Sequence, residues 1–342
     1  MSELRIGING FGRIGRAITR ILLARKRHQV VHVNDTNPDI ANLAYLLKYD
    51  TTYGRLGDAV TADGDAIAIG DRKIRVSHQH DIAEVDWQDV DVVIEATGVG
   101  RNEAHARALL PQLRSVLVTH ACPSADFTLV FGATDHAFDP VKHRLVSTSI
   151  CDAAAAAPVL KVLHEAFGID YGFVTTLHPW LSYQNLMDGP ARSQALPGST
   201  YAHYPLGRAS VGALIPKPTT VVSACERIVP ELAGILKCMS YRVPTACVSS
   251  ADLSLHLERT ASEDGVLAAL HALRASQHGR EVVRITDEPL ISVDYLGDPH
   301  SCIVDTRWLM LNRGRQLKVV LWYDNEWGYS SRVADALDLV AR

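Results

Sequence analysis

Three glycines constrain this chain more than any other feature. Gly10, Gly12 and Gly15 fall in Asn9-Gly10-Phe11-Gly12-Arg13-Ile14-Gly15, between the β-rich run Leu4–Ile8 and the segment Arg16–Leu23, where Ile18, Ile21 and Leu22 recur at helical spacing. The pattern predicts strand, tight turn, helix. A second strand, Val30–Val33, leads into Asn34-Asp35, and Asp35 follows Gly15 by 20 residues. That is the spacing of a dinucleotide-binding βαβ unit. Small residues let the main chain approach a pyrophosphate, the helix start offers N–H donors and positive partial charge, and the carboxylate accepts from ribose hydroxyls. The candidate cofactor residues are therefore Gly10, Phe11, Gly12, Arg13, Ile14 and Asp35. A carboxylate at position 35 repels a 2′-phosphate, so NAD is favoured over NADP, while Thr36 and Asn37 are small enough to leave NADP some tolerance.

The same alternation continues. Helices are expected at Ala41–Lys48 and Glu103–Leu110, and strands at Asp91–Glu95, Val116–Thr119 and Thr128–Phe131. Nearly continuous apolar strands between helices predict a Rossmann-type α/β domain with a doubly wound parallel sheet. Ligands of such sheets lie beyond the carboxyl ends of the strands, which adds Thr97, Gly98 and Thr119 as candidates for the nicotinamide side.

Other classes are set aside by composition. Lys plus Arg number 34 against 38 Asp plus Glu, a net charge of −4, so no basic excess exists to drive binding to nucleic acid. No run of 18 apolar residues offers a membrane span, and Glu3, Arg5, Arg13 and Arg16 interrupt the place where a signal peptide needs its apolar core, so a cytoplasmic protein is expected. Six scattered cysteines without a C-x-x-C pair fit reduced thiols, and histidines without ligand spacing give no reason to expect a metal.

In the second half, Cys151 precedes an alanine-rich segment of high helix propensity. A thiol at a helix start is a candidate nucleophile, because the N-terminal partial charge favours thiolate. Val174–Leu177 reads as a strand delivering His178, 27 residues beyond Cys151, and an imidazole beside that sulfur can relay its proton.

Taken in order, NGFGRIGR, VND at Asp35, LLKYDTTYG from Leu46, EATGV from Glu95, Cys151, TTLH from Thr175, RVPT from Arg242 and WYDNEWGYSSR from Trp322 resemble the phosphorylating glyceraldehyde-3-phosphate dehydrogenases from end to end. The resemblance implies Cys151 as nucleophile and His178 as its base, and Asn325 as the anchor of the nicotinamide carboxamide. It also implies an α+β catalytic domain, a phosphorylated aldehyde as substrate, a thioester released by phosphate, and a homotetramer. Residues 1–150 are then expected to bind NAD, 151–320 to form the catalytic domain, and 321–342 to return to the first domain as a helix in which Val333, Ala336, Leu337 and Val340 have core spacing.

Three departures bear on the substrate site. The family's S-C-T-T-N is Ile150-Cys151-Asp152-Ala153-Ala154 here, which sets a carboxylate where hydroxyls hold the attacking phosphate. One unit charge at about 4 Å costs about 4 kcal/mol at an effective dielectric near 20. The family's H-x-x-T becomes His178-Pro179-Trp180-Leu181, and its S-S/T-T-G becomes Lys217-Pro218-Thr219-Thr220. Asp152, Leu181, Thr219, Thr220 and Arg242 are thus the candidate substrate residues. Leu181 is similar to what erythrose-4-phosphate dehydrogenase shows, and Lys217 brings a cation. Two alternatives stay open: a dehydrogenase of erythrose 4-phosphate or another anionic aldehyde with acyl transfer to water or another acceptor, and a non-catalytic NAD-binding regulator. Gln184, Arg192 and Arg208 lie in or near the aperiodic stretch Leu186–Tyr204, which is expected to form a long loop.

Overall fold

The computed structural model describes residues 2–277 and 280–342; Met1, where the expected first domain begins, lies outside them. The chain divides into two compact units, Met1–Leu129 with Ala137–Ser149 and Ser330–Arg342, and Val130–His136 with Ile150–Tyr329.

In the first unit, β1 (Arg5–Asn9), α1 (Arg13–Arg25) and β2 (Gln29–Asn34) form the opening βαβ unit, followed by α2 (Ile40–Lys48) and a short hairpin of β3 (Tyr49–Asp50) and β4 (Gly54–Arg55). Strands β5 (Val60–Asp63), β6 (Ala66–Ile69), β7 (Arg72–Ser77) and β8 (Val92–Glu95) precede α3 (Asn102–Ala108), and β9 (Ser115–Val118), β10 (Phe127–Thr128) and β11 (Leu145–Ser147) complete the unit's strands. Among the described residues the sheet runs β10-β11-β9-β8-β1-β2-β7-β6-β5. It is parallel from β10 to β7 and closes with the antiparallel β5–β6–β7 edge. The strand expected at Thr128–Phe131 is shorter and begins one residue earlier, at Phe127: Leu129 still gives its amide to Ser147 O at 2.8 Å, and Val130 already belongs to the second unit. Central strands β8 and β9 are buried at every position, as a sheet covered on both faces demands.

In the second unit, α4 (Cys151–Phe167) is buried over most of its length, Ala153 to Leu160 included. It is followed by β12 (Ile169–Pro179), β13 (Ile215–Lys217), α5 (Val221–Ile228), β14 (Leu236–Val243), β15 (Ser249–Leu257), α6 (Glu263–Ala275), β16 (Val283–Thr286), β17 (Cys302–Asn312) and β18 (Gln316–Tyr323). These form a mixed sheet in the order β13-β14-β12-β15-β18-β17-β16. Side chains on β12 alternate, so Tyr171, Phe173 and Leu177 stand exposed on one face while Val174, Thr176 and His178 are buried on the other. Between residues 180 and 214 the only regular pieces among the described residues are one short 3-10 turn, Tyr204–Gly207, and an isolated bridge between Arg192 and Thr200.

The last helix, α7 (Trp327–Val340), starts later than the expected residue 321, because β18 runs on to Tyr323 and the Asp324 carboxylate then accepts from the amides of Glu326 (3.0 Å) and Trp327 (2.7 Å) and so opens the helix. Its Val333, Ala336, Leu337 and Val340 are buried as their spacing predicts. Within the first unit Asp335 pairs with Arg25 (2.7 Å) and Asp338 with His28 (3.2 Å). No helix among the described residues is long and apolar enough to cross a membrane.

Candidate active site

The first unit gathers its candidate cofactor residues at the carboxyl ends of β1, β2, β8 and β9, where the strand order switches direction around β1. Main-chain bonds stitch these ends together: Gly10 N–H to Asn34 O at 2.8 Å, Ala96 N–H to Asn9 O at 2.8 Å and Thr119 N–H to Glu95 O at 3.0 Å. Gly10 has φ +94°, and a Cβ on it would lie 2.9 Å from Ala96 and Thr97. A Cβ on Gly15 would lie 2.2 Å from the Gly10 carbonyl oxygen, so α1 can pack onto the turn only with glycine there. A Cβ on Gly12 would meet nothing within 4 Å. The main chain at Gly12 is thus open to an approaching group at a helix start, and this cradle fits a dinucleotide pyrophosphate. Asp35 receives the Phe11 amide at 2.7 Å and the Asn37 amide at 2.9 Å, which fixes its carboxylate beside the turn. The Phe11 ring is buried, the Arg13 guanidinium is held by Asp50 and lies over the Tyr53 ring, and Ile14 is partly exposed. Behind the cluster Glu95 is buried, takes hydrogen bonds from Asn9, Thr97 and Asn102, and has its pKa raised by that burial. Thr97, Gly98 and Thr119 are partly exposed at the rim.

The second unit builds its site from the start of α4 and the ends of β12, β14 and β18. Cys151 is the first residue of α4, and Ile150 before it is extended with no side-chain cap. The parallel register of β12 and β14 sets His178 beside Arg242. Cys151 Sγ lies 3.7 Å from His178 Nε2 and 3.5 Å from Asp152 Oδ1. His178 Nδ1 lies 2.8 Å from the Pro179 carbonyl oxygen, which can only accept, so Nδ1 carries the proton and Nε2 turns its lone pair toward the sulfur. Tyr323, buried at the end of β18, donates its hydroxyl to Asp152 Oδ1 at 2.8 Å.

The electrostatics overturn one expectation. The helix start was expected to favour thiolate, yet Cys151 is held well above the ordinary thiol range, first by burial and then by the Asp152 carboxylate. Burial pushes His178 down to about 4, more strongly than Asp152 pulls it up. The resting pair is a thiol beside a neutral imidazole. Lys217, crowded by protein and by Arg242, falls to about 8.

Arg242 donates to Pro179 O at 3.4 Å and to the Tyr183 hydroxyl at 3.1 Å, and its buried Nε has no hydrogen-bond partner. Thr219 turns its hydroxyl toward the Val221 amide at 3.3 Å, Thr220 precedes α5 and is exposed, and Leu181 donates its amide to Gln184 Oε1 at 2.9 Å. Buried Asn325 and Asp324 both accept from the Cys247 thiol, at 3.6 and 3.2 Å. Arg208 pairs with Asp188 at the surface.

One residue of the site escaped the sequence reading. Tyr323 stands in that reading only as a member of the WYDNEWGYSSR motif, although a buried tyrosine needs a partner for its hydroxyl. The structure also brings the donor atoms of Cys151, Asp152 and His178 within 4.8 Å of one another. Linear spacing hid this because β12 returns to the start of α4.

A glycine turn with a tethered acid in one unit and a thiol–imidazole pair in the other are the parts of an NAD-dependent dehydrogenase that works through cysteine. Comparison with known proteins is specific. Residues 4–103 match the NAD binding domain of glyceraldehyde 3-phosphate dehydrogenase, and residues 150–325 match its C-terminal domain. The chain is 41% identical to glyceraldehyde-3-phosphate dehydrogenase of Kitasatospora aureofaciens over 98% of its own length and 99% of the relative's. It is 39% identical to glyceraldehyde-3-phosphate dehydrogenase 2 of Streptomyces arenae (98% of each chain) and 37% identical to the Geobacillus stearothermophilus enzyme (99% and 98%). The chain belongs to the glyceraldehyde-3-phosphate dehydrogenase family and is an NAD-dependent oxidoreductase.

Proposed function

We propose that this enzyme oxidises glyceraldehyde 3-phosphate through a Cys151 thioester that inorganic phosphate releases. The observation that carries the reading is the 3.7 Å separation of Cys151 Sγ from a His178 Nε2 whose lone pair faces it. As sulfur attacks the aldehyde carbon, His178 takes the thiol proton, and the imidazolium so formed can donate to the hemithioacetal oxygen. NAD, when bound, supplies the hydride acceptor. In the first unit Gly10, Gly12 and Asp35 would hold its pyrophosphate and ribose, and Thr97, Gly98 and Thr119 its nicotinamide side; in the second, Asn325 is the residue whose family counterpart anchors the carboxamide. Arg242, with its unpartnered Nε, and Lys217 would receive the substrate's phosphate, with Thr219, Thr220 and Leu181 lining its approach. We infer a cytoplasmic homotetramer, supported by the exposed row Tyr171, Phe173 and Leu177 on β12, an apolar face suited to a second copy.

One observation favours a second reading of the release step. The Asp152 carboxylate, pinned by Tyr323, stands 3.5 Å from the sulfur, where it repels an incoming phosphate and can take a proton from water. A panel of phosphorylated aldehydes assayed with and without inorganic phosphate tests both readings. Phosphate-dependent turnover giving an acyl phosphate supports the first, whereas phosphate-independent release of the free acid replaces it with the second. Absence of an NADH burst with every aldehyde sinks both.

A further inference from the structure

We propose that Cys151, Asp152 and His178 form a binding site for a thiol-seeking divalent cation of the zinc class, and that an occupied site silences the thiol. The silencing rests on Cys151 being the nucleophile; the binding does not.

The donor set is a thiol sulfur, an imidazole nitrogen and a carboxylate oxygen, the mixture that Zn2+ prefers over the all-oxygen shells of Mg2+ or Ca2+. Its spacing suits a tetrahedron. Bonds of about 2.3 Å to sulfur and about 2.0 Å to nitrogen or oxygen give sulfur–oxygen and sulfur–nitrogen edges of about 3.5 to 3.6 Å. The site has a sulfur–oxygen edge of 3.5 Å and a sulfur–nitrogen edge of 3.7 Å, with all three donors inside 4.8 Å.

The surroundings orient the donors as metal sites require. His178 gives its Nδ1–H to the Pro179 carbonyl, which fixes the tautomer that leaves Nε2 free to ligate. Tyr323 holds Asp152 through its hydroxyl, and Oδ1 keeps a second lone pair. Three protein donors leave a fourth position for water or a small ligand. The binding step is balanced without any redox partner: the cation takes the sulfur lone pair, the S–H bond breaks, and the proton leaves to solvent. The cation brings two positive charges and one proton leaves, so the site passes from a net charge of −1 to zero and carries no net positive charge beside Arg242 and Lys217. Asp152 is the decisive member, since without it the cation has only two protein donors here.

Cobalt(II) is the probe, because tetrahedral cobalt bound to thiolate shows intense visible bands and a sulfur-to-cobalt charge-transfer band. The full-length enzyme, freed of metal with a chelator, should take up one equivalent of Co2+ with that band, and Zn2+ should abolish it. Cys151→Ser should lose the band, and Asp152→Asn should weaken Zn2+ binding at least tenfold in a competition titration, both variants keeping NAD binding as the check on folding. Absence of the thiolate band, or equal Zn2+ affinity in Asp152→Asn and the parent, overturns the site. An NADH burst that survives stoichiometric Zn2+ overturns the silencing. A missing burst in the metal-free enzyme instead refutes the nucleophile reading and leaves the cobalt result standing.

Discussion

The cofactor end of the first unit and the thiol end of the second are built on opposite principles. The first is a shape made by main chain: Gly10, Gly12 and Gly15 admit backbone approach, and Asp35 is fastened by two amides within the same short βαβ stretch. The second is a set of charges made by side chains, in which the contact between Asp152 and Tyr323 spans 171 residues. A shape tolerates no extra atom and little else matters to it. A charge cluster tolerates atoms but answers to every neighbour, and at Cys151 burial first, and then the Asp152 carboxylate, raise the thiol against the direction in which the helix start alone would move it.

The contrast breaks most decisively at the sulfur. Cys151→Ser should lower NADH formation by about 10³-fold or more while NAD titration of the variant is unchanged; a parallel loss of NAD affinity would mean the two ends are not separable. Next come the glycines. Gly15→Ala, whose Cβ would lie 2.2 Å from a backbone oxygen, should cost about 1–3 kcal/mol in denaturant unfolding. Gly12→Ala meets nothing, so it should unfold within about 0.5 kcal/mol of the parent yet bind NAD about tenfold more weakly. Equal stability losses in both would remove the distinction between packing and cradle.

Asp152→Thr should make turnover several-fold more responsive to inorganic phosphate and lower its half-saturation concentration; an unchanged phosphate response rules out the charge effect. For pH the sign follows from two displaced groups. His178, lowered to about 4, is already neutral through the near-neutral range, and Cys151, raised, stays a thiol past the ordinary thiol range. The neutral thiol–imidazole pair therefore persists across this range, and the burst rate should stay nearly flat from about pH 6 to 9 with no limb near 6.5, the unperturbed histidine value. A limb there would show His178 titrating normally. The smallest effect belongs to Lys217, charged below about 8 and neutral above it. Lys217→Met should raise KM for the phosphorylated aldehyde about two- to threefold at pH 7, and the difference should fade above pH 9; a pH-independent difference points to packing instead.

How much could be read from the sequence follows the same division. The glycine turn, the parallel sheet, the position of Cys151 at a helix start and of His178 at a strand end were legible, because each is a local pattern of spacing and propensity. The strand at Thr128–Phe131 was overextended, since an apolar run does not say where a chain passes from one unit to the next. Tyr323, the grouping of Cys151, Asp152 and His178, and the protonated state of the thiol were not legible. Each depends on burial and on strand ends that only the completed sheet brings together.

The two amides that fasten Asp35 carry a lesson for anyone who would re-engineer coenzyme choice. The carboxylate proposed to discriminate against a phosphorylated ribose is also the peg on which the glycine loop hangs. Exchanging it for a neutral or basic group removes discriminator and peg together, so a switch in specificity has to supply a new acceptor for the Phe11 and Asn37 amides.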